Sequence, residues 1–140
     1  MVSPADPVSP PLKSTALVLV VDDSLDARTL YGEYLEYCGF RVATAKDGQE
    51  GIDAAHAHGP DVILMDLAMP RMNGWEAIRR LRAHPLTAET PIVAISAHAF
   101  GAEPGRARDA GADACLSKPC LPPQVASIVR AMLSSRLRSH

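Results

Sequence analysis

The sequence predicts an α/β fold, a doubly wound five-stranded parallel sheet of order 2-1-3-4-5 with helices on both faces. Apolar segments of strand length recur five times along the chain, and segments of helical periodicity lie between them. Two of these segments, ALVLVV at 16–21 and DVILM at 61–65, are almost continuously apolar, which is typical of strands buried on both faces. Because βαβ connections are right-handed, five βα units allow few topologies, and this strand order is the simplest.

Each strand is predicted from its apolar residues and from the polar or glycine-bearing junction that follows it. The expected ranges are 16–21, 41–45, 61–65, 91–95 and 114–116. The first helix is expected over 24–38, where apolar residues recur along one face. Those residues are Ala27, Leu30, Tyr31, Tyr34, Leu35 and Cys38. Ser24 stands in the N-cap position, and Gly39 follows the last turn as a C-terminal glycine would.

The last two helical segments differ in strength. The segment near 103–110 contains Pro104 and Gly105 and offers only alanines to a core. We therefore expect a weak helix that begins at about Pro104, since proline is tolerated in a first turn. The final segment has a continuous apolar stripe opposite a polar face, which indicates a helix packed on the sheet. The stripe consists of Val125, Ile128, Val129, Met132 and Leu133.

Length and composition indicate one globular domain, which we place at 16–137 of the 140 residues. Residues 1–15 contain four prolines among polar residues, and we expect a disordered tail there. The chain has 14 Lys and Arg, 16 Asp and Glu, and 4% aromatic residues. Without an excess of basic residues the chain has no expected surface for a phosphate backbone, and with so few aromatic residues it has no expected platform for stacking bases. No nucleic-acid partner is therefore expected.

The cysteines and the length of the apolar runs indicate in which compartment of the cell the chain is expected. Cys38, Cys115 and Cys120 form an odd set without a CxxC pair, which is typical of reduced thiols. The apolar run at 16–21 is too short to span a bilayer, and no signal-peptide pattern is present. We expect a cytoplasmic chain without a membrane partner.

Polar residues follow the strands that the predicted order makes neighbours. Asp22 and Asp23 come after the first strand and Asp66 comes after the third, so three carboxylates are expected at one edge of the sheet. Oxygen ligands at that density suit Mg²⁺. Ser96 ends the fourth strand and Lys118 follows the fifth, so both are expected to face the carboxylates. A carboxylate nucleophile, a hydroxyl, an ammonium group and a metal together indicate phosphoryl transfer.

Four motifs give the chain its resemblance to a known family. They are VVDDS at 20–24, DVILMDLAMPRMNG at 61–74, PIVAISA at 91–97 and AGADACLSKP at 110–119. With them the chain resembles a bacterial response-regulator receiver domain of the chemotaxis-regulator type, which has a (βα)₅ flavodoxin-like fold with the same strand order. The resemblance covers about 16–135, and it implies a phosphoacceptor switch of a two-component or phosphorelay system.

The resemblance also implies a role for each site residue. Asp66 would accept the phosphoryl group, while Ser96 and Lys118 would contact its oxygens. For Mg²⁺, Asp66 and three further positions would supply the protein ligands. Those positions are Asp23, Asp22 (largely through water) and the main-chain carbonyl of Ala68. The Lys118–Pro119 peptide would be cis.

Partners and output follow from the same resemblance. The donor would be the phosphohistidine of a sensor kinase or phosphotransfer protein, and the output would be protein binding by a monomer or a phosphorylation-dependent dimer. Apart from accepting and losing its own phosphoryl group, the chain would not be an enzyme. Cys115 stands where many members have Tyr or Phe, which puts the usual aromatic switch in doubt. We expect activation to pass through Ser96 and the loop 97–103 instead.

We expect a stand-alone regulator, and two alternatives to it remain open at this point. The chain could be the receiver part of a hybrid histidine kinase or a larger regulator, with 1–15 as a linker. A more distant alternative is a phosphatase of the haloacid-dehalogenase kind, which also uses an aspartate nucleophile after a strand. Such enzymes have a second aspartate two residues later, where this chain has Ala68.

Overall fold

The computed structural model describes residues 16–69, 72–97 and 103–138. The expected tail, 1–15, and most of the expected switch loop lie outside the described residues. Five strands alternate with five helices along the described chain. In order these are β1 Leu17–Val21, α1 Leu25–Tyr37, β2 Arg41–Ala45, α2 Gly48–His58, β3 Val62–Asp66, α3 Gly74–Ala83, β4 Ile92–Ser96, α4 Glu103–Ala110, β5 Ala114–Ser117 and α5 Pro122–Arg138.

The strands form one parallel sheet of order β2-β1-β3-β4-β5, which confirms the predicted topology. Every residue of β1, β3 and β4 is buried, as their continuously apolar sequences predict. The edge strands β2 and β5 are partly exposed. Because β1, β3, β4 and β5 are parallel and adjacent, the residues that follow them meet along one edge of the sheet.

Helices cover both faces of the sheet and enclose two apolar clusters. One cluster lies under α2, α3 and α4 and includes Ile52, Ile78 and Leu81. The other lies under α1 and α5 and includes Leu35 and Val129. The apolar stripe predicted for the last helix packs into this second cluster, so its periodicity gave the buried face correctly.

Caps fix the ends of several helices. The Ser24 hydroxyl accepts the Ala27 N–H at 3.2 Å, and Gly39 follows α1 with φ 100°. Asn73 caps α3, its side chain accepting the Glu76 N–H at 3.0 Å. The third and fifth strands end one residue beyond their predicted ranges, at Asp66 and Ser117, and the fourth ends at Ser96. The fourth helix begins at Glu103, one residue before the proline that we expected to start it.

Candidate functional site

Three carboxylates converge where β1 and β3 end. Asp22 and Asp66 are 1% and 2% exposed, whereas Asp23 is exposed. One carboxylate oxygen from each of the three lies within 4.8 Å of the other two. The parallel pairing of β1 with β3 creates this arrangement, because Val21 lies opposite Met65 and both chains then turn into the same edge.

Asp22 is held firmly through one of its oxygens. Its Oδ1 accepts the Ser24 N–H at 2.9 Å, and its own N–H donates to the Ala45 carbonyl at 3.1 Å. Its Oδ2 is buried and has no hydrogen-bond partner among the described residues. The Lys118 Nζ lies 3.7 Å from this oxygen. A buried carboxylate oxygen in this condition is costly unless a cation or water satisfies it.

Asp66 is the central carboxylate of the group. Its Oδ1 accepts the Ala68 N–H at 3.2 Å and lies 3.6 Å from the Lys118 Nζ. Burial, followed by the charge of the neighbouring Asp22, raises the pKa of Asp66 to about 6. Lys118 and the Ala68 amide act in the opposite direction. The carboxyl is therefore mostly ionised at neutral pH, and it carries a charge that the surroundings only partly balance.

Lys118 and Ser96 come from the two strands on the other side of β3. The Lys118 N–H donates to the Ser96 carbonyl at 2.7 Å, so the turn after β5 is fixed to the end of β4. The Lys118–Pro119 peptide is cis, as the resemblance implied. Ser96 is fully buried at the end of its strand, next to the strand that ends in Asp66.

The donor set at this edge fits Mg²⁺. The cation prefers oxygen ligands, and three carboxylates lie close enough to share one ion. The unpartnered Oδ2 of Asp22 indicates a place where a cation or its water would satisfy a buried atom. Ala68, two residues after Asp66, is exposed at the same edge.

One residue that supports the site was missed by sequence reasoning. Gly74 begins α3 so close to the end of β3 that a Cβ would collide with the Asp66 carbonyl and lie 2.7 Å from the Leu67 Cα. Its N–H donates to the Leu67 carbonyl at 3.1 Å. The sequence signal for this close approach is the Asn-Gly pair at 73–74, because only glycine lacks the Cβ that would collide.

The model of the response regulator receiver domain matches residues 18–130 of this chain. The chain belongs to that family. Receiver domains are signalling switches of two-component systems that interact with histidine kinases and phosphotransfer proteins, and the family binds Mg²⁺ at an acidic pocket. Family membership excludes the haloacid-dehalogenase alternative.

Known proteins similar to this receiver domain differ in their overall size. The polar-differentiation response regulator DivK of Brucella ovis is 29% identical over 119 residues, which are 85% of this chain and 97% of that protein. The sensor histidine kinase RcsC of Salmonella typhimurium is 36% identical over 103 residues, which are 74% of this chain but 11% of that kinase. The matched regions thus include both a small regulator and a small part of a large kinase.

Solved structures agree with the observed fold. The chemotaxis protein CheY4 of Vibrio cholerae is 31% identical, has a TM-score of 0.80 and covers 84% of this chain and 98% of its own. The receiver domain of a histidine kinase from Syntrophus aciditrophicus is 27% identical with a TM-score of 0.79, covering 86% of this chain and 92% of its own. Among the described helices, none combines the length and apolar character needed to cross a membrane.

Proposed function

We propose that this receiver domain is a phosphoacceptor switch in which Asp66 takes a phosphoryl group from a phosphohistidine of a sensor kinase or phosphotransfer protein. The observation that carries the proposal is a buried carboxylate at a strand end, 3.6 Å from a lysine ammonium and grouped with two further carboxylates. Free cysteines support the cytoplasmic location that such a partner requires.

The proposed reaction needs little beyond positioning and charge. An ionised Asp66 oxygen attacks phosphorus, a P–O bond forms, and the P–N bond to the donor histidine breaks with its electron pair going to nitrogen. The Ala68 N–H holds the carboxylate in one orientation. Lys118 would pair with a phosphoryl oxygen, and Ser96 would donate a hydrogen bond to another. Water can later attack the same phosphorus and restore Asp66.

Mg²⁺ completes the proposed site. Asp23, Asp66 and the Ala68 carbonyl would hold the ion directly, and Asp22 would hold it largely through water. When bound, the ion would neutralise part of the charge that builds up on the transferred group. Because few protein oxygens take part, we expect weak binding before phosphorylation. Asp23→Ala should abolish Mg²⁺ binding and Asp22→Ala should weaken it less, as measured by titration of Trp75 fluorescence.

The proposed output is protein binding through the face formed by α4, β5 and α5. A shallow groove of about 440 Å³ lies between β5 and α5, and its lining is mostly apolar. The groove is lined by Leu116, Pro123, Gln124, Ser127, Ile128 and Ala131. We propose a monomer before phosphorylation that binds an output protein, or a second copy, once Asp66 is phosphorylated.

Acetyl phosphate tests the acceptor directly. The wild-type chain is incubated with acetyl phosphate and Mg²⁺, and the adduct is mapped by mass spectrometry. We expect label on Asp66, none in Asp66→Ala and none in EDTA. Asp53→Asn, an exposed aspartate of α2, serves as the control and should label normally. Label that persists in Asp66→Ala, or that forms equally in EDTA, would overturn the proposal.

A further inference from the structure

The hydroxyl of Tyr31 connects α1 to the turn that carries Lys118. It donates to the main-chain carbonyl of Cys120 at 3.0 Å, across 89 residues of sequence. Both residues are buried, Tyr31 at 6% and Cys120 at 8% exposure. A buried carbonyl needs a hydrogen-bond donor. Cys120 lies between β5 and α5, outside both elements, and the Tyr31 phenol is the donor to its carbonyl.

The proton count at this contact assigns each donor. The phenol has one hydrogen and the carbonyl can only accept, so the hydroxyl hydrogen belongs to the Cys120 carbonyl. The Cys120 Sγ lies 3.3 Å from the same phenol oxygen and therefore donates its S–H to it. The pKa of Tyr31 lies above its usual range. Burial is the largest cause, and the contact with Cys120 and the charges of Asp22 and Asp66 act in the same direction. The phenol thus keeps its proton at any physiological pH.

The turn after β5 is held at three points, and Tyr31 supplies the middle one. At the start, Lys118 N–H donates to the Ser96 carbonyl at 2.7 Å. At the end, Leu121 N–H donates to the Gln124 side-chain oxygen at 2.7 Å. Lys118 itself is one-third exposed, and its ammonium makes only long ion pairs of 3.6 and 3.7 Å. Its position therefore depends on the backbone beneath it more than on its own side-chain contacts.

We propose that Tyr31 is a positioning residue for phosphoryl transfer, which it serves by fixing the Cys120 carbonyl and so the turn that aims Lys118 at Asp66. The inference rests on the proposed function, because it assigns a role within the same site. Tyr31 does not touch the reacting atoms; it acts through Lys118. Loss of the hydroxyl leaves the ring packed against the α1–α5 cluster but removes the anchor of the turn.

The test combines Tyr31→Phe with Lys118→Ala and measures the rate of labelling by acetyl phosphate. Loss of one hydrogen bond changes an equilibrium constant by about five-fold, and we expect Tyr31→Phe to reduce the labelling rate by about the same factor. In the Lys118→Ala background the same change should have no further effect, since Tyr31 acts only through that lysine. Tyr37→Phe, at an 85% exposed position of the same helix, is the matched control and should label at the wild-type rate.

A spectroscopic readout separates positioning from general loss of structure. The chain has only three lysines, so the side-chain ¹³Cε signals can be assigned with Lys118→Ala. Tyr31→Phe should shift the Lys118 signal and leave that of Lys46 unchanged. It should also speed the alkylation of Cys120, whose thiol loses its acceptor, relative to that of Cys38.

The outcomes distinguish this inference from the proposed function. Labelling of Tyr31→Phe at the wild-type rate, or a slowing that adds fully to that of Lys118→Ala, would overturn the positioning role alone. An unchanged Lys118 signal in Tyr31→Phe would do the same. A wild-type chain that takes no label would refute the proposed function, and the positioning role would fail with it.

Discussion

At the scale of single residues, the charge on Asp66 opposes folding in the metal-free chain. The unfolded chain ionises this carboxyl near its ordinary pKa of 3.8, whereas the folded chain ionises it near 6. Between these values the folded state binds more protons, so its stability falls as pH rises. The stability that the Asp66 proton contributes to the folded state is fully present below about pH 4, and it is lost as pH rises through about 6. Above that pH, the ionised carboxyl lowers the free energy of unfolding by about 2 to 3 kcal/mol relative to the protonated form.

Asp66→Asn isolates this effect, because the two chains share every other carboxyl. In EDTA at pH 8 we expect the variant to have a larger free energy of unfolding by about 2 kcal/mol, and at pH 4 to equal the wild type. Urea unfolding at the two pH values provides the measurement. A difference that does not change with pH would contradict the assignment. Added Mg²⁺ should stabilise the wild type at pH 8 and the variant much less.

Gly74 supports the site through close packing of backbone. Gly74→Ala places a Cβ against the Asp66 carbonyl and the Leu67 Cα, so the start of α3 must move. We expect a loss of about 1 to 3 kcal/mol in the free energy of unfolding, together with slower labelling of Asp66. Gly105→Ala is the matched control, since a Cβ there meets nothing within 4 Å. This control should be neutral or slightly stabilising because alanine favours helix, and equal effects of the two changes would refute the packing argument.

At the scale of elements, Arg82 ties the end of α3 to the starts of β4 and β5. Its Nε donates to the Gly111 carbonyl at 2.8 Å and its Nη1 to the Thr90 carbonyl at 2.6 Å. Its Nη2 donates to Asp113 at 2.7 Å, and that carboxylate also accepts the Ile92 N–H at 2.8 Å. One guanidinium on α3 therefore satisfies groups from the two loops that lead into β4 and β5.

Arg82→Lys should destabilise the fold without touching the phosphorylation site. Lysine keeps the charge but cannot direct donors at three acceptors, and partly buried carbonyls lose their partners. We expect a loss of about 1 to 3 kcal/mol in urea unfolding. Arg80→Lys, which alters an exposed pair with Glu76, should leave stability essentially unchanged. Equal stability of Arg82→Lys and wild type would show that water replaces the lost hydrogen bonds.

Sequence reasoning reached the elements more completely than their contacts. Apolar runs placed every strand within one residue, because burial on both faces of the sheet leaves a strong pattern. The helix stripes gave the buried faces except at Leu30, which is 53% exposed because it lies at the margin of the α1 face. Polar residues after strands gave the edge where the site lies. Tyr31 illustrates the limit: its spacing predicted burial, but its hydroxyl bonds a carbonyl 89 residues away. Such a partner depends on how two elements pack, which no local pattern records.

At the scale of the whole molecule, the site is rigid on one side and weakly anchored on the other. Asp22 directly follows β1 and Asp66 ends β3, and every residue of these two central strands is buried. The fourth helix, in contrast, buries only Ala110 among the side chains that the structure describes for it. The Arg106 guanidinium of this helix lies on the exposed side, 3.6 Å from the centre of the Trp75 ring. Elements with so little apolar burial open at low free energy and supply the moving parts of switches.

We therefore predict that phosphorylation changes α4 and leaves the sheet core unchanged. In the proposed mechanism Ser96 moves toward the phosphoryl group to donate a hydrogen bond, so phosphorylation would favour the conformation in which the adjoining segment has followed. Beryllofluoride with Mg²⁺ stands in for the phosphoryl group, and amide exchange is compared with and without it. We expect altered exchange over 103–110 and altered Trp75 fluorescence, and the fluorescence change should be smaller in Arg106→Gln. Altered exchange at the sheet edge without any change in α4 would refute this description of the output face.

Cys115 decides whether an aromatic residue is needed for that response. Its side chain is half-buried and packs against the cluster under α2, α3 and α4, at the position where many receiver domains have Tyr or Phe. If the signal passes through Ser96 and the following loop, Cys115→Tyr should leave the beryllofluoride response unchanged or strengthen it. Exchange over 103–110 in that variant is the measurement, with the wild type as reference. Loss of the response would mean that the small thiol keeps open a space into which the moving segment must pass.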